Sequence, residues 1–323
     1  MIIDPSFYHF NKQVVEQAAS FIEAHFPTEN VHLKPLSGGR SVSKNFILKV
    51  DEKNYLLRLQ SGANNERELF IFQEAAKAGV APKVYFVSPQ SSFVLMELLD
   101  CGTLTIAQAK NPNNWMRIAH SFNVIHQLPK NPHARQSKVE IFLNVCEGLK
   151  GKWDITPELH QVKSTLEWLD AQIKRYGAKS TTIHGDPHPR NLFLPPEGKL
   201  LAVDWEDTNW DDPFYDISFF CLLHSYSDEE EKQFLQLYLK DNYSEDQVNR
   251  YYLCKKTSLI ILALICIDQS YDLAIEQGLK LECNAPLQDW SYYVQKWSET
   301  SEHNPQFFYD WGRCALLISK QDR

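Results

Sequence analysis

The sequence predicts an α+β fold of two lobes: a small lobe with an antiparallel sheet and one main helix, and a larger lobe made mostly of helices. Strand-like segments are concentrated before residue 98, whereas helical spacing of apolar residues dominates after residue 103. A chain of 323 residues is also long for one compact core, because single cores stop growing at roughly 250 to 300 residues. We therefore expect one lobe over residues 1–98 and a second over residues 99–323.

In the first lobe, the predicted elements are two helices and five strands. The helices cover residues 10–25 and 65–78, and the second is closed by Gly79 with Pro82 just beyond. The strands are short apolar and β-branched runs bounded by turns. They cover residues 31–36, 46–50, 55–59, 85–87 and 93–98.

The second lobe is predicted to contain helices and one main hairpin. The helices cover residues 113–127, 138–150, 157–176, 213–224, 228–240, 245–277, 286–299 and 305–319. The hairpin covers residues 192–203, where two short apolar runs flank a Pro-Pro-Glu-Gly turn. The longest apolar run, Leu259–Ile267, has nine residues, which is too short to cross a bilayer and indicates a buried helix.

Composition narrows the functional classes. The net charge of −8 argues against a general nucleic-acid binder. The seven cysteines are scattered without a Cys-x-x-Cys pair, which favours free thiols in a reducing compartment and indicates no zinc site. The first residues have neither a basic start nor an apolar core, so no signal peptide is expected. The sequence therefore predicts a cytoplasmic protein that binds neither nucleic acid nor a membrane, and it leaves the oligomeric state open.

One segment has the spacing that phosphoryl transfer from a metal-bound nucleotide requires. It reads HGDPHPRN over His184–Asn191, and the hairpin then leads to Asp204. In protein kinases an Asp accepts the proton of the attacking hydroxyl, an Asn five residues later holds one metal ion, and an Asp beyond a short hairpin holds the other. Asp186, Asn191 and Asp204 fit these three places. The alternative is an ordinary turn beside a solvated hairpin.

The two stretches HGDPHPRNLF and VDWEDTNWDDPFYDIS resemble the paired signatures of the aminoglycoside phosphotransferase and choline kinase superfamily. These are small-molecule kinases with a protein-kinase-like fold. The resemblance implies that Asp186 is the catalytic base, that Asn191 and Asp204 are magnesium ligands, and that ATP and Mg²⁺ are the cofactors. It also implies that Asp216 supports the catalytic loop. The sequence departs from the family at Arg190, where a glycine is frequent.

The first lobe supplies candidates for binding the nucleotide. The loop that contains Ser37, Gly38 and Gly39 can bring backbone N–H groups to phosphates and resembles the phosphate loop of choline kinase-like proteins, although such turns are mostly only turns. Arg58 is the only cation in the third strand, where protein kinases have a lysine that pairs with phosphates and a helix glutamate. Its partner is either Glu66 or Glu68.

Between these two glutamates the resemblance favours Glu68, because of its distance from the Ala81-Pro82 stop. The choline kinase branch is similar in using arginine in this strand. The segment Met96, Glu97 and Leu98 resembles a kinase hinge, where backbone groups meet the adenine edge. Only backbone groups are needed there, so the side chains of this segment do not indicate whether ATP or GTP is preferred.

The acceptor site is predicted less directly. Choline kinases bind a quaternary ammonium in an aromatic cage through cation–π attraction, and the C-terminal supply of aromatic residues resembles such a cage. The alternatives are core packing for the aromatic residues, a helix cap for Asp211 and loop support for His188. The acceptor candidates are His188, Glu206, Asp211, Trp290, Tyr293 and Trp311.

These features predict an ATP-dependent phosphotransferase acting on a hydroxyl of a small cationic molecule such as choline or ethanolamine. The Gly185 before Asp186 argues the other way, because choline kinases commonly carry asparagine before this aspartate. Aminoglycoside, thiamine and homoserine therefore stay open as acceptors. A kinase-like binding protein without turnover is a further alternative, opposed by the presence of Asp186, Asn191 and Asp204 together. A protein kinase is opposed by the missing glycine of its DFG motif, since Asp204 is followed by Trp205 and Glu206, and by the absence of an APE-like segment.

Overall fold

The computed structural model describes residues 2–27, 30–36, 44–60, 65–133, 137–148, 161–299 and 304–321. A six-stranded sheet forms much of the N-terminal region, in the order β1-β2-β3-β4-β6-β5. Its strands are β1 (Ile2–Ile3), β2 (Val31–Pro35), β3 (Lys44–Val50), β4 (Lys53–Leu59), β5 (Val84–Val87) and β6 (Phe93–Glu97). The five predicted strands pair antiparallel. The sixth, β1, pairs parallel with β2 and was not predicted, because two residues are too few to show a period.

One face of this sheet is covered by helix α1 (Lys12–His25). Alternate strand residues such as Phe46, Leu48 and Leu57 are buried in one apolar cluster with Ala18 and Ile22 of the helix. Since successive residues of a strand point to opposite faces, the intervening residues of β3, β4 and β6 lie on the other face. That second face is where Arg58 is found.

Helix α2 (Asn65–Ala78) has the predicted bounds. It ends at Gly79, which has a φ of +71°, and Val80 donates its N–H to the carbonyl of Ala75. A left-handed glycine after the last turn is a common helix stop because it lacks a Cβ. The first turn of α2 carries Glu66 and Glu68.

The region after residue 98 is mostly helical, as predicted. Its helices are α3 (Ile106–Lys110), α4 (Pro112–Ile125), α5 (Lys138–Gly148), α6 (Val162–Arg175), α7 (Phe214–Leu223), α8 (Asp228–Leu239), α9 (Glu245–Gln277), α10 (Trp290–Glu299) and α11 (Pro305–Ser319). Only α3 was not predicted, because five residues are too few to show helical spacing. The beginning predicted for α6, at residue 157, lies outside the described residues. The division of the chain into lobes at residue 98 stays a prediction.

Two small antiparallel ladders hold the segments around the motif His184–Asn191. The predicted hairpin is present as β8 (Leu192–Phe193) and β9 (Leu201–Ala202). A second ladder, β7 (Thr181–Ile183) with β10 (Asn209–Asp211), was not predicted. Its strands are three residues each, and their pairing joins parts of the chain on either side of the hairpin. The two ladders position the residues between β7 and β10.

Helix α9 is long and apolar enough to cross a membrane by length and composition alone, with a mean hydropathy of 1.7 over its most apolar 18 residues. However, 67% of that stretch is buried inside the protein, and a core helix passes the same test. The run Leu259–Ile267 packs closely on α11, where a Cβ at Gly312 would lie 2.7 Å from Cγ1 of Ile267. The run is thus used for packing, as expected of a buried helix.

Candidate active site

The loop between β7 and β8 begins with a turn that only glycine fits. Gly185 has a φ of +92°, in the region that side chains rarely adopt. A Cβ at this position would lie 2.0 Å from the backbone oxygen of Asp207. The loop and the segment after Asp204 therefore touch backbone to backbone, immediately before Asp186.

The side chain of Asp216 fixes this turn by accepting hydrogen bonds from its backbone. Its side chain is fully buried, and it accepts hydrogen bonds from the N–H groups of His184 (2.7 Å) and Gly185 (2.9 Å). His126 lies 3.1 Å from the same carboxylate. Burial alone would raise the pKa of Asp216, but the hydrogen bond and charge of His126, with those of the loop, lower it below the usual carboxyl value. Asp216 is thus a charged acceptor that fixes the start of the loop.

His184 connects the loop to the hairpin. Its Nε2 lies 3.0 Å from the carbonyl oxygen of Val203, and its Nδ1 lies 3.3 Å from the N–H of Asp186. These partners assign the proton to Nε2, because a carbonyl oxygen only accepts and a backbone N–H only donates. His184 therefore fixes the backbone of Asp186 relative to Val203, the residue that precedes Asp204.

The structure brings Asp186, Asn191 and Asp204 together. The Nδ2 group of Asn191 lies 3.2 Å from the carbonyl oxygen of Asp186 and 3.4 Å from its Oδ2. The N–H of Val203 donates to the carbonyl oxygen of Asn191 (2.9 Å). This hydrogen bond places Asp204, the next residue in the chain, close to Asn191. Asp204 has a φ of +64°, and this conformation turns the chain at the end of the hairpin.

Several acidic side chains lie close together around Asp186 and Asp204. Desolvation, followed by the charges of Asp207 and Asp204, raises the pKa of Asp186 to about 6. Desolvation and the same two neighbours raise the pKa of Glu206 to about 7. Oδ1 of Asp204 is buried without a hydrogen-bond partner and lies 3.8 Å from a guanidinium nitrogen of Arg58. A bound cation would relieve both the repulsion and the unmet acceptor.

The donor set fits magnesium. Mg²⁺ prefers oxygen ligands and is usually bound by one or two carboxylates together with substrate phosphates and water. Among the described residues, no three His, Cys, Asp or Glu side chains form a metal-binding group. The proposed pair of ligands, Asn191 and Asp204, contains one carboxylate and one amide. A site of this kind does not need three His, Cys, Asp or Glu side chains.

Arg58 pairs with Glu68 rather than with Glu66. Its guanidinium donates to Oε1 of Glu68 at 2.6 Å, and both side chains are largely buried, whereas Glu66 is exposed. Burial raises the pKa of Glu68 even though the charge of Arg58 opposes this. Arg58 thus lies between Glu68 on α2 and Asp204 beyond the hairpin.

A second arginine joins α2 to the same segment. Arg67 is buried and donates to the backbone oxygen of Glu206. Sequence reasoning missed this contact, because its partners are 139 positions apart and a helix arginine beside a glutamate gives no signal of its own. Arg67 thus attaches α2 to a residue that follows Asp204, whereas Arg58 lies between Glu68 of α2 and Asp204 itself.

The hinge candidates lie at the end of β6. Met96 and Glu97 still pair with β4, and the N–H of Glu97 donates to the carbonyl oxygen of Lys83 at 2.8 Å. Leu98 is the first residue beyond the strand, and it lines an open cavity of about 740 Å³ together with Ile47 of β3. The loop candidates Ser37, Gly38 and Gly39 lie outside the described residues.

A second cavity, of about 380 Å³, opens beside Asp186. We call it the acceptor cavity; among the predicted residues, Asp186, His188 and Trp311 line it. Desolvation and the charge of Arg190 lower the pKa of His188 to about 4, so its ring is neutral. The lining combines the loop between β7 and β8, and β10, with helices α5, α7, α9, α10 and α11.

The other acceptor candidates lie outside this lining as far as the described residues show it. Asp211 accepts hydrogen bonds from the N–H groups of Lys138 (2.7 Å) and Asp212 (2.8 Å). Trp290 donates its indole N–H to Leu222. The hydroxyl of buried Tyr293 accepts from the N–H of Gln288. Glu206 lies on the side of Asp204, where its backbone oxygen is held by α2.

Sequence reasoning missed the cavity residue Lys138, and it counted Trp297 among the C-terminal aromatic residues without choosing it as an acceptor candidate. The ammonium of Lys138 donates to the carbonyl oxygen of Gly185. The ring of Trp297 lies under the guanidinium of Arg190, 4.4 Å from ring centre to Cζ, and against the edge of His188. Arg190 also donates to the backbone oxygen of Trp297. The only signal in the sequence was the arginine itself, at a position where the family resemblance leads one to expect glycine.

Comparison with protein families and curated proteins gives two matches. A sequence model of the phosphotransferase enzyme family matches residues 32–248, which is more than half of the chain. Acyl-CoA dehydrogenase family member 10 of Mus musculus is 34% identical over 71 residues. That match spans 21% of this chain and only 6% of the mouse protein, so it concerns a small part of that protein.

Solved structures are similar over nearly the whole chain. A choline/ethanolamine kinase family protein from Mesorhizobium loti has a TM-score of 0.63 at 17% identity, covering 94% of this chain and 99% of that one. Choline kinase LicA from Streptococcus pneumoniae has a TM-score of 0.62 at 18% identity, covering 95% and 99%, and LicA has also been solved with AMP. A spectinomycin phosphotransferase, solved with ADP and spectinomycin, has a TM-score of 0.53 at 12% identity, covering 93% and 98%. Identities this low indicate a shared fold.

Proposed function

The chain belongs to the phosphotransferase enzyme family and is a small-molecule kinase, and from this premise we propose that it transfers the γ-phosphoryl group of ATP to a small alcohol with the help of Mg²⁺ in the cytoplasm. The observation that carries this proposal is the convergence of Asp186, Asn191 and Asp204 opposite the pair formed by Arg58 and Glu68.

Asp186 is proposed to act as the catalytic base. The acceptor hydroxyl gives its proton to the carboxylate of Asp186 while its oxygen bonds to the γ-phosphorus of ATP. The bond from that phosphorus to the bridging β–γ oxygen breaks, and ADP leaves with the electron pair. The loop carrying Asp186 is fixed by Asp216 and His184, so the carboxylate is preorganised at the wall of the acceptor cavity.

Asn191 and Asp204 would hold magnesium, which when bound neutralises charge on the phosphate oxygens. Arg58 is proposed to contact the same phosphates, because its planar guanidinium presents donors to a phosphate and to Glu68 together. Leu98 and the preceding hinge residues are proposed to bind the adenine, with the loop of Ser37, Gly38 and Gly39 over the phosphates.

Small amino alcohols, choline and ethanolamine, are the first acceptors to test. They are favoured by the similarity in fold to choline and ethanolamine kinases and by the aromatic residues Trp297, Phe308 and Trp311 in the acceptor cavity. Aminoglycosides, thiamine and homoserine are the alternatives within the same superfamily.

The proposed function is tested by phosphoryl transfer to a panel of these alcohols. We expect ADP formation to require both MgATP and an alcohol, and the product mass to increase by one phosphoryl group. Chelation of the metal with EDTA should stop the reaction, and GTP in place of ATP should report the nucleotide preference. If the nucleotide binds but no alcohol raises ADP formation above background, the protein is a kinase-like binding protein instead.

Replacing Glu68 by alanine is expected to lower kcat/KM for ATP by about tenfold to a hundredfold, because a hydrogen bond to a charged group is worth about 1.5 to 3 kcal/mol. The matched control is Glu66→Ala, two positions away in the same helix turn and exposed, for which a change below about twofold is expected. Steady-state kinetics with varied MgATP measure both. Equal effects of the two substitutions would show that the contact between Arg58 and Glu68 does not serve the nucleotide.

A further inference from the structure

The imidazole of His188 presents a proton to the carboxylate of Asp186. Its Nδ1 accepts the backbone N–H of Arg190 at 3.2 Å. A ring nitrogen that accepts a hydrogen bond carries no proton, so these partners assign the single proton of the neutral ring to Nε2. Nε2 lies 3.4 Å from Oδ2 of Asp186. Hydrogen bonds of this length in an unliganded site often shorten when the substrate binds.

A second donor lies beside the same oxygen. Nδ2 of Asn191 is 3.4 Å from Oδ2 of Asp186, so two side chains of one loop approach a single oxygen of this carboxylate. The carboxylate is 31% exposed and lines the acceptor cavity. Donors beside a carboxylate oxygen stabilise negative charge on it. Oδ2 is therefore the oxygen that keeps its charge, and Oδ1 is left to take the proton of an acceptor hydroxyl.

Helix α10 fixes the orientation of this imidazole. The ring of Trp297 meets the ring of His188 nearly at a right angle, with 5.3 Å between the ring centres. The guanidinium of Arg190 lies over the same indole at 4.4 Å, within the range of cation–π attraction, and donates to the backbone oxygen of Trp297. Since Arg190 also gives its backbone N–H to His188, one residue joins the imidazole to the helix.

We infer that His188 is a positioning residue for Asp186 and not a contact for the acceptor. Its Nε2–H and the amide of Asn191 hold Oδ2 of Asp186, so that the proton of the acceptor hydroxyl goes to Oδ1. Arg190 and Trp297 act through His188, by setting the plane of its ring. The inference rests on the proposed kinase activity and goes beyond it by naming the residue that orients the base and the oxygen that receives the proton.

The test compares His188→Gln with His188→Met. The two new side chains have the same length, but only glutamine carries an amide N–H where Nε2 of the histidine was. With MgATP and the best alcohol of the panel, we expect His188→Met to lower kcat by about tenfold or more, the value of a hydrogen bond to a charged group. His188→Gln should retain kcat within about threefold of the wild type, and both variants should leave the KM of the alcohol within about threefold, because the contact serves the reaction and not binding.

Two kinetic results overturn the inference. Equal kcat in the two variants would show that the donor at this position does not serve the base. A higher KM for the alcohol in both variants, with kcat unchanged, would show that His188 contacts the acceptor instead. Circular dichroism checks that both variants fold.

A double-mutant cycle tests the link from α10. Arg190→Met removes the guanidinium from the ring of Trp297 and is expected to lower kcat by about threefold, the size of a cation–π contact at a partly exposed site. In the His188→Met background, where no donor is left to position, the same substitution should change kcat by less than about 1.5-fold. Equal effects in both backgrounds would overturn the link through His188.

The matched control is Arg313→Met. Arg313 also lies over an aromatic ring, that of Tyr309 at 5.8 Å, and also donates to a backbone oxygen, that of Ala285 at 3.0 Å. It belongs neither to the loop nor to the described lining of the acceptor cavity. Its replacement should leave kcat unchanged, and a loss equal to that of Arg190→Met would overturn the assignment to the loop.

The proton of His188 can also be located without turnover. Nitrogen-15 spectra of the histidine-labelled wild type, with the His188 signals identified by their loss in His188→Gln, should show Nε2 protonated and Nδ1 bare at neutral pH. A proton on Nδ1 overturns the inference whatever the activity. Absence of phosphoryl transfer by the wild type with every alcohol overturns the kinase proposal, and the role of His188 in the reaction with it. Normal transfer with equal kcat in His188→Gln and His188→Met overturns the inference alone.

Discussion

Substitution of Asp186 by asparagine is expected to lower kcat by about two to four orders of magnitude, the range that a positioned general base contributes. The amide keeps the shape of the carboxylate but cannot take the proton of the acceptor hydroxyl. Nucleotide binding should persist, because the pair of Arg58 and Glu68 does not depend on Asp186. Initial rates with MgATP and the best alcohol measure the first effect, and calorimetric titration with the nucleotide measures the second.

The control for this substitution is Asp241→Asn, the same chemical change at an exposed residue far along the chain from the loop. Its kcat should equal that of the wild type. A kcat for Asp186→Asn within about tenfold of the wild type would contradict the role of Asp186 as base, since even the low end of the range is larger.

Replacing Asp216 by asparagine is expected to destabilise the fold by about 3 to 5 kcal/mol, the usual effect of removing one partner of a buried charge pair. The carboxylate is fully buried and receives the N–H groups of His184 and Gly185. An amide would offer donor hydrogens to groups that already donate. Urea denaturation followed by circular dichroism measures the loss. Asp170→Asn, which removes a surface pair with Lys174, should cost less than about 0.5 kcal/mol.

The same residue gives stability a defined pH dependence. The pKa of Asp216 is lower in the folded protein than its ordinary value, so the folded state favours the charged form. This stabilisation is fully present above the unfolded pKa of about 3.9 and is lost as the pH falls through the lower folded pKa. In the Asp216→Asn variant this part of the acid sensitivity should be missing. An unchanged slope of stability between neutral and acid pH would contradict the assignment.

The residues that could be predicted are those whose relation is local in sequence. Asp186, Asn191 and Asp204 are brought together by a loop and a hairpin within about twenty positions, so spacing alone indicated them. The pairing of Arg58 with Glu68 spans ten positions and required the resemblance to choose between two glutamates. The main helices were predicted for the same reason, since their periodicity lies within each segment.

The residues that were missed depend on contacts between distant parts of the chain. Arg190 and Trp297 are 107 positions apart, and Lys138 is 47 positions from its partner Gly185. The sequence indicated that aromatic residues are abundant near the C-terminus, but not which of them reach the cavity. That depends on how α10 lies beside the catalytic loop, which places Trp297 at the cavity and leaves Trp290 bonded to Leu222.

The contact of Arg190 with Trp297 has a consequence for how this enzyme could change its substrate over evolution. One side chain joins the loop that is proposed to perform the reaction to a wall of the acceptor cavity. Mutations in α10 that reshape the cavity therefore also disturb the loop, so new specificity arising there comes with slower turnover. Mutations along α9 meet a different constraint, because this helix is largely buried and packs closely on α11. New acceptor specificity is thus constrained through both helices, through α9 by the packing of the core and through α10 by its contact with the loop.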